Sequence, residues 1–323
     1  MRLDFYFICN RIDERCETMS SCEYILETKD LCKSYGKSQV LKNLNMKVPR
    51  GSIYGFIGKN GAGKTTLMRL VCGLQYQNKG EILIDGVKNT DSKINDVRKK
   101  FGAIVETPAL HLNLTARQNL ILQLDILGIK DYKKADELLE FVGLADTGKK
   151  SAGNFSLGMR QRLSIAIALC GDPEFLVLDE PVNGLDPQGI IDMRELLHKM
   201  NTNGITILIS SHILDELAKV ATHYGFISDG CLVSEMSASD LHDNFKKSMV
   251  LTVDNTNDVD KAFDGFDLKY ELNGKEINIR GDVSVTEIVL ALHKHNIIVE
   301  RLVSKEESLE EFFFDLIGGA ENV

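Results

Sequence analysis

A glycine-rich turn that comes after an apolar run constrains this sequence more than any other feature. Residues 53–57 read Ile-Tyr-Gly-Phe-Ile, and residues 58–66 read Gly-Lys-Asn-Gly-Ala-Gly-Lys-Thr-Thr. This order predicts a buried strand, a tight turn and a helix that begins within the turn. Glycines let backbone N–H groups converge on an anion, and the helix dipole adds positive potential there. The sequence therefore predicts a phosphate-binding loop.

Two side chains of this loop have chemistry of their own. Lys64 is placed to reach the β- and γ-phosphates of a nucleotide, and the Thr65 hydroxyl is placed to ligate the Mg²⁺ that accompanies them. A glycine turn with a solvated lysine is the plain alternative, but the flanking strand and helix patterns disfavour it. Such a loop predicts nucleotide binding without naming a function, because many unrelated NTPases carry one. The predicted binding residues are Gly58, Asn60, Gly61, Ala62, Gly63, Lys64, Thr65 and Thr66.

Composition excludes several other classes of protein. The chain has 323 residues, enough for one large or two medium domains, and 43% of them are hydrophobic. Its net charge of −9 gives no indication of a nucleic-acid partner. Apolar runs such as residues 205–209 are too short to span a bilayer. The seven cysteines are scattered without a C-x-x-C pair, which favours a reducing compartment over disulfides or a zinc site.

Polar side chains follow each of four apolar runs that read as buried strands. Glu106 follows the second run, Asp179 and Glu180 follow the third, and His212 follows the fourth. The carboxyl ends of parallel strands meet at one sheet edge, where ligands bind in open α/β folds. We therefore expect these side chains to lie near the phosphate-binding loop. The predicted strands are 53–57, 102–105, 175–178 and 205–209.

Between about residues 110 and 170 the apolar periodicity is helical. The segment 115–118 reads Thr-Ala-Arg-Gln, a capping box that opens an amphipathic helix. This block predicts a helical subdomain inserted into an α/β domain. The alternating residues before the loop, including Val40, Leu44 and Met46, predict strands with one buried face.

The two ends of the chain differ in pattern from its centre. Residues 1–22 fit poorly with the pattern of the main domain, which is predicted over residues 23–240. For residues 1–22 we expect either a disordered extension or a misassigned start, with Met19 as the alternative first residue. A small separate α/β sandwich is predicted over residues 245–323, with a hairpin turn at Asn273-Gly274.

Taken in order, these motifs resemble the nucleotide-binding subunit of ATP-binding cassette (ABC) transporters over about residues 23–240. The loop corresponds to Walker A, and residues 175–180 resemble Walker B with the glutamate that comes after it. Residues 155–162 resemble the signature motif, and residues 183–186 the D-loop. The resemblance implies an α/β P-loop NTPase core with an antiparallel β subdomain and a helical subdomain.

The resemblance also implies roles for single residues. Lys64, Glu180 and His212 would be catalytic: the glutamate orients or deprotonates the attacking water, and the histidine contacts the γ-phosphate. The metal ligands for Mg²⁺ would be Thr65, Glu106 and Asp179. Further ATP contacts would come from Tyr35, Ser156, Gly158 and Asp186. From spacing alone, Tyr35 fits a packed tyrosine as well as an adenine-stacking one.

Two departures from the family pattern bear on activity. The signature is usually Leu-Ser-Gly-Gly-Gln, whereas residues 155–159 read Phe-Ser-Leu-Gly-Met. The family usually has Gln where this chain has Glu106. These features resemble the bacitracin and lantibiotic resistance and immunity branch.

That branch implies an ATPase that powers a separate integral membrane permease and exports, or confers resistance to, peptide antibiotics. The protein would sit peripherally at the cytoplasmic face of the membrane. It would pair with a second copy of itself in an ATP-sandwich dimer. Two other hypotheses are a regulatory or sensing ABC ATPase with low turnover and a non-transport ABC protein acting on ribosomes or DNA.

Overall fold

The computed structural model describes residues 22–106, 110–266, 268–281 and 283–320. Residues 1–21, nearly all of the predicted N-terminal extension, lie outside the described residues. Across the ranges that are described, no helix combines the length and apolarity needed to cross a membrane.

The described residues before residue 245 contain ten strands, eight α-helices and two short 3₁₀-helices, Ala145–Thr147 and Ala152–Asn154. The strands are β1 Tyr24–Tyr35, β2 Ser38–Pro49, β3 Ile53–Ile57, β4 Lys79–Ile84, β5 Val87–Lys88, β6 Phe101–Ile104, β7 Phe175–Asp179, β8 Thr206–Ser211, β9 His223–Ser228 and β10 Cys231–Ser237. The helices are α1 Lys64–Val71, α2 Ile94–Arg98, α3 Ala116–Ile126, α4 Lys133–Phe141, α5 Leu157–Leu169, α6 Pro187–Thr202, α7 Leu214–Ala218 and α8 Ala238–Asn244.

A six-stranded sheet with the order β10-β9-β3-β8-β7-β6 forms the centre of this part. The pairs β9/β3, β3/β8, β8/β7 and β7/β6 are parallel, and β10 closes one edge as an antiparallel strand. Every residue of β3, β7 and β8 is buried, as expected for parallel strands covered on both faces. The four strands predicted from apolar runs are confirmed to within two residues at each end.

A second, antiparallel sheet with the order β2-β1-β4-β5 covers the central sheet. One hydrophobic cluster joins the two sheets and α1, with Leu26 and Met46 from the antiparallel sheet, Leu67 from α1 and Leu208 from the central sheet. The predicted antiparallel subdomain is confirmed. Its packing fixes α1, and with it the glycine-rich loop, against the sheet edge.

Gly80, within β4, lies where the chain crosses β1 at close range. Its φ is +81°, and a Cβ there would lie 2.3 Å from the carbonyl oxygen of Asp30. A side chain would therefore meet backbone that cannot rotate away.

The helical block predicted between residues 110 and 170 consists of α3, α4 and α5. The capping box that opens α3 is present in both directions: the Gln118 N–H donates to the Thr115 hydroxyl at 3.2 Å, and the Thr115 N–H donates to Gln118 Oε1 at 2.9 Å. Leu120, Leu139 and Leu163 pack into the core cluster that also contains one face of the central sheet.

A smaller unit comes after β10 and α8. Its elements are β11 Lys247–Val253, α9 Val259–Ala262, β12 Lys269–Asn273, β13 Glu276–Arg280, α10 Val285–Lys294 and β14 Val299–Glu306. The sheet order β12-β13-β11-β14 and the βαββαβ chain order form a split βαβ, ferredoxin-like arrangement. The predicted hairpin is present, but its two-residue turn is Gly274-Lys275 and not Asn273-Gly274, because Asn273 still belongs to β12 and pairs with Glu276. Leu251, Ile277 and Leu292 belong to a core of its own.

The last helix, α11 Leu309–Ala320, leaves this smaller unit and packs on the first one. The rings of Phe312 and Phe313 lie 5.7 and 6.1 Å from that of Phe226 on β9, and Phe313 is buried. The exposed Phe314 ring lies 5.9 Å from the ammonium of Lys59 in the glycine-rich loop. The domain limits 23–240 and 245–323 stay predictions, and α11, placed by sequence in the second unit, shares the core of the first.

We expect Gly80→Ala to destabilise the chain more than Gly36→Ala. Both residues have positive φ, but nothing lies within 4 Å of a Cβ at Gly36. Gly36→Ala should therefore lower the free energy of unfolding by only about 1–2 kcal/mol, the cost of the left-handed backbone. Urea unfolding followed by far-UV circular dichroism measures both, since the chain has no Trp. Equal losses would contradict the close approach to Asp30.

Candidate functional site

The glycine-rich loop links β3 to α1, as predicted. Ile57 ends the strand, and α1 begins at Lys64 with Gly63 as its N-cap residue. Gly63 has a φ of +112°, and a Cβ there would lie 2.7 Å from Leu41 Cδ2 and 3.1 Å from the Val40 carbonyl oxygen. Only glycine fits this junction, so the loop backbone can face the open side of the sheet edge.

Lys64 extends its side chain back across the loop. Its ammonium donates to the carbonyl of Gly58 at 2.6 Å and lies 3.8 Å from Glu180 Oε1. The side chain is only 6% exposed. Burial lowers the pKa of the Lys64 ammonium, and the carboxylates of Glu180 and Asp179 act in the opposite direction. A buried cation beside backbone N–H groups makes this edge suitable for a polyanion.

Asp179 and Glu180 stand at the carboxyl end of β7 in different environments. Asp179 is buried, and its Oδ1 accepts a 2.6 Å hydrogen bond from the Ser210 hydroxyl on β8. Glu180 has a φ of +52°, unusual for a residue with a side chain, and turns its carboxylate away from the strand line. The same Ser210 hydroxyl accepts the Glu180 N–H at 3.0 Å.

His212 follows β8 and meets the Glu180 carboxylate. Its Nδ1 lies 2.5 Å from Glu180 Oε2, and its backbone N–H donates to the same oxygen at 3.3 Å. A carboxylate oxygen only accepts, so Nδ1 carries the proton of this contact. The contact fixes the orientation of the imidazole ring and turns Nε2 away from the carboxylate.

These groups surround one open cleft of 390 Å³ at the sheet edge. Of its ten lining residues, eight are predicted site residues, and Val40 is an addition that no chemical pattern could have marked. Asn183 lies in the predicted D-loop segment, although its side chain was not singled out. The lining residues are Val40, Asn60, Gly61, Gly63, Lys64, Thr65, Thr66, Glu180, Asn183 and His212.

Several predicted site residues do not line this cleft. Tyr35 lies at the end of β1, 44% exposed, and its hydroxyl bonds to the side chain of Gln75. Glu106 has an exposed carboxylate that pairs with Arg69 on α1. The next residues, 107–109, lie outside the described part of the chain. Adenine stacking by Tyr35 and metal binding by Glu106 stay predictions.

Ser156, Gly158 and Asp186 also stand apart from the cleft of their own chain. Ser156 is the N-cap of α5 and accepts the Met159 N–H at 3.3 Å. Asp186 is the N-cap of α6 and accepts the Gly189 N–H at 3.0 Å. Both side chains satisfy helix-terminal N–H groups, so each has a structural task whatever else it does.

The oxygen donors near the loop suit Mg²⁺. The Thr65 hydroxyl lines the cleft and the Asp179 carboxylate ends the neighbouring strand. Within the described residues, no group of three or more His, Cys, Asp or Glu side chains could hold a metal ion by itself. A small oxygen set is what Mg²⁺ takes when it keeps water and phosphate oxygens among its ligands.

Comparison with known proteins gives similar relatives across nearly the whole chain. Residues 41–183 match the sequence model of the family described as "ABC transporter". The chain is 41% identical to the bacitracin transport ATP-binding protein BcrA of Bacillus licheniformis, over 91% of this chain and 98% of that protein. It is 43% identical to the lantibiotic transport ATP-binding protein SrtF of Streptococcus pyogenes, over 65% of this chain and 90% of that protein.

A solved structure gives the same answer for the fold. The dimeric structure of a post-hydrolysis state of the ATP-binding cassette MJ0796, bound to ADP and Pi, matches with a TM-score of 0.60 and 26% identity. The match covers 66% of this chain and 98% of that one.

The capping contact of Asp186 predicts a stability effect. We expect Asp186→Ala to lower the free energy of unfolding by about 1 kcal/mol, because the first turn of α6 loses its side-chain acceptor. Asp186→Asn keeps an acceptor oxygen at the same place. Its free energy of unfolding should stay within about 0.3 kcal/mol of the parent value, because Asn and Asp are equivalent as N-cap residues. Urea unfolding of the three proteins compares them. An alanine variant as stable as the asparagine variant would contradict the cap.

Proposed function

Because the chain belongs to the ABC transporter family and is an ATPase of that family, we propose that it supplies the energy for a transporter whose membrane-spanning part is a separate permease. The observation that carries this proposal is the cleft in which Lys64, Glu180 and His212 converge on a glycine-rich loop. Packing alone gives no reason for a cation, a carboxylate and an imidazole from three different elements to meet at one open cleft.

Each group has a task in the transfer of the γ-phosphoryl group to water. Backbone N–H groups of the loop and the Lys64 ammonium bind the phosphate oxygens and offset their charge. Glu180 orients the attacking water and accepts its proton, since its carboxylate is the acceptor that faces the cleft. His212 holds that carboxylate through Nδ1 and contacts the γ-phosphate through Nε2.

Thr65 and Asp179 would hold Mg²⁺ beside the phosphates. The ion, when bound, neutralises charge on the β- and γ-phosphate oxygens. Asp179 is buried and hydrogen-bonded, so it is oriented before any ligand binds. Glu106 is the third proposed ligand, and in this structure its carboxylate pairs with Arg69.

We propose that the working form is a dimer of this chain. Ser156, Gly158 and Asp186 do not line the cleft of their own chain, which supports their acting on nucleotide held by another copy. The dimeric ATP-binding cassette MJ0796, bound to ADP and Pi, has the same fold and supports this arrangement. Two copies arranged head to tail would enclose two ATP molecules.

The proposed cargo is a peptide antibiotic of the bacitracin or lantibiotic type. The relatives named for bacitracin transport and lantibiotic transport are 41% and 43% identical to this chain. The permease would hold the protein at the cytoplasmic face of the membrane, which agrees with the lack of a spanning helix among the described residues. Export would keep the antibiotic away from its target at the cell surface.

We expect Glu180→Gln to reduce phosphate release from ATP by about 100-fold or more, the usual contribution of a general base. The variant should still dimerise in saturating ATP and Mg²⁺, as measured by light scattering after gel filtration. Glu106→Gln is the matched control: it also replaces a carboxylate by an amide, but one that faces Arg69, so it should keep at least part of the activity.

Two results would contradict these assignments. Unchanged turnover in Glu180→Gln would remove Glu180 from the reaction, and abolished turnover in Glu106→Gln would give Glu106 a role that its contact with Arg69 does not explain. A Glu180→Gln protein that stays monomeric with ATP, Mg²⁺ and its permease would refute the dimer.

A deletion strain tests the cargo. We expect the strain to become more susceptible to bacitracin or to lantibiotics, and we expect the intact gene, but not its Glu180→Gln form, to restore resistance. Minimum inhibitory concentrations across peptide antibiotics, with an antibiotic of unrelated target as control, measure this. Unchanged susceptibility with intact ATPase activity would favour a sensing role over export.

A further inference from the structure

Ser210 lies on β8, between β3 and β7, where its side chain contacts both Asp179 and Glu180 at the end of β7. It is the fifth residue of β8, which lies between β3 and β7, and it pairs with Phe56 on one side and Asp179 on the other. Its exposure is 0%. A hydroxyl in such a place must find partners within the protein, because water does not reach it.

The Ser210 hydroxyl makes one hydrogen bond as a donor and one as an acceptor, and the two partners determine which is which. It donates to Asp179 Oδ1 at 2.6 Å and accepts the Glu180 N–H at 3.0 Å. An ionised carboxylate has no proton to give and an amide N–H has no lone pair to offer, so the reverse arrangement cannot form. One side chain thus orients a carboxylate and the next residue's backbone together.

The backbone of Glu180 is the part that needs such support. Its φ of +52° places a non-glycine residue in the left-handed region. This conformation is strained for a residue with a side chain and persists only where surrounding contacts enforce it. The Glu180 carboxylate reaches His212 and the Lys64 ammonium from this backbone position. A relaxed φ would turn the carboxylate out of the cleft.

We propose that Ser210 is a positioning residue. By holding the Asp179 carboxylate and the Glu180 backbone together, it makes the metal-binding oxygen of Asp179 and the water-orienting carboxylate of Glu180 face the same phosphate. The inference rests on the proposed roles of those two residues. The competing explanation is that the hydroxyl only satisfies a buried N–H and contributes to stability alone.

Thr206 provides the matched control for that explanation. It lies on the same strand with 0% exposure, and its hydroxyl accepts the Gly51 N–H at 2.9 Å. Thr206 is the first residue of β8, four residues from Ser210 and outside the cleft lining. Thr206→Val removes a buried hydroxyl acceptor without touching the site.

The experiment compares Ser210→Ala, Ser210→Cys, Ser210→Thr and Thr206→Val in the full chain. Three quantities are measured: kcat and KM for ATP, the Mn²⁺ concentration that half-saturates the ADP complex by electron paramagnetic resonance, and the affinity for a fluorescent ATP analogue without metal. Thermal unfolding of each variant reports stability. Ser210→Cys fills the site with a slightly larger side chain that is a weak donor, so it stands in if the alanine variant does not fold.

We expect Ser210→Ala and Ser210→Cys to weaken Mn²⁺ binding and to lower kcat, each by about 10- to 100-fold, as is usual for groups that orient metal ligands. Nucleotide affinity without metal should stay unchanged, because the glycine-rich loop is intact. Ser210→Thr keeps the hydroxyl and should recover most of both quantities. Thr206→Val should lose stability and keep both.

Wild-type Mn²⁺ affinity and kcat in Ser210→Ala or Ser210→Cys would overturn the inference. Losses of the same size in Thr206→Val would overturn it as well, because they would track stability and not position. A Glu180→Gln variant with unchanged turnover would instead refute the proposed role of Glu180, while the Mn²⁺ affinity still tests the link between Ser210 and Asp179.

Discussion

The site depends on the burial of one positive charge at the edge of the central sheet. An ammonium on a side chain that is only 6% exposed needs acceptors close by, and Lys64 finds them in the Gly58 carbonyl and the Glu180 carboxylate. The first acceptor requires the tight turn of the glycine-rich loop. The second acceptor, Glu180, follows β7. It comes close to Lys64 because β3, β8 and β7 are neighbouring parallel strands whose carboxyl ends lie at the same edge of the sheet. The fold therefore brings a cation and its counter-charges together before any phosphate arrives.

Much of this arrangement can be predicted from the sequence, because local patterns determine it. Apolar runs predict β3, β6, β7 and β8 of the central sheet, and the Thr115–Gln118 capping box predicts the start of α3. Contacts between distant side chains were not predictable in this way. Glu106 pairs with Arg69, 37 residues earlier, and no spacing rule marks that choice. Ser210 is hidden in an apolar strand pattern, where a serine reads as a small filler.

Ser156 and Asp186 show why motif residues are hard to assign from one chain. Each ends a loop and begins a helix, where serine and aspartate are favoured for capping alone. The same side chains would meet nucleotide only when another copy approaches. Local stability and assembly thus select the same residue types, so the sequence marks the position strongly without separating the two reasons.

Because α11 packs on the core of the first unit, the C-terminal unit is attached to that core at two places. Because β11 to β14 are flanked in the chain by two segments that pack on the same core, this unit is an insert anchored at both ends and not a tail on a single linker. Two anchors remove the swivelling freedom that one linker would leave. One of these anchors places Phe313 against Phe226 of β9, so a displacement of the ferredoxin-like unit would also act on the strand beside the one that leads into the glycine-rich loop.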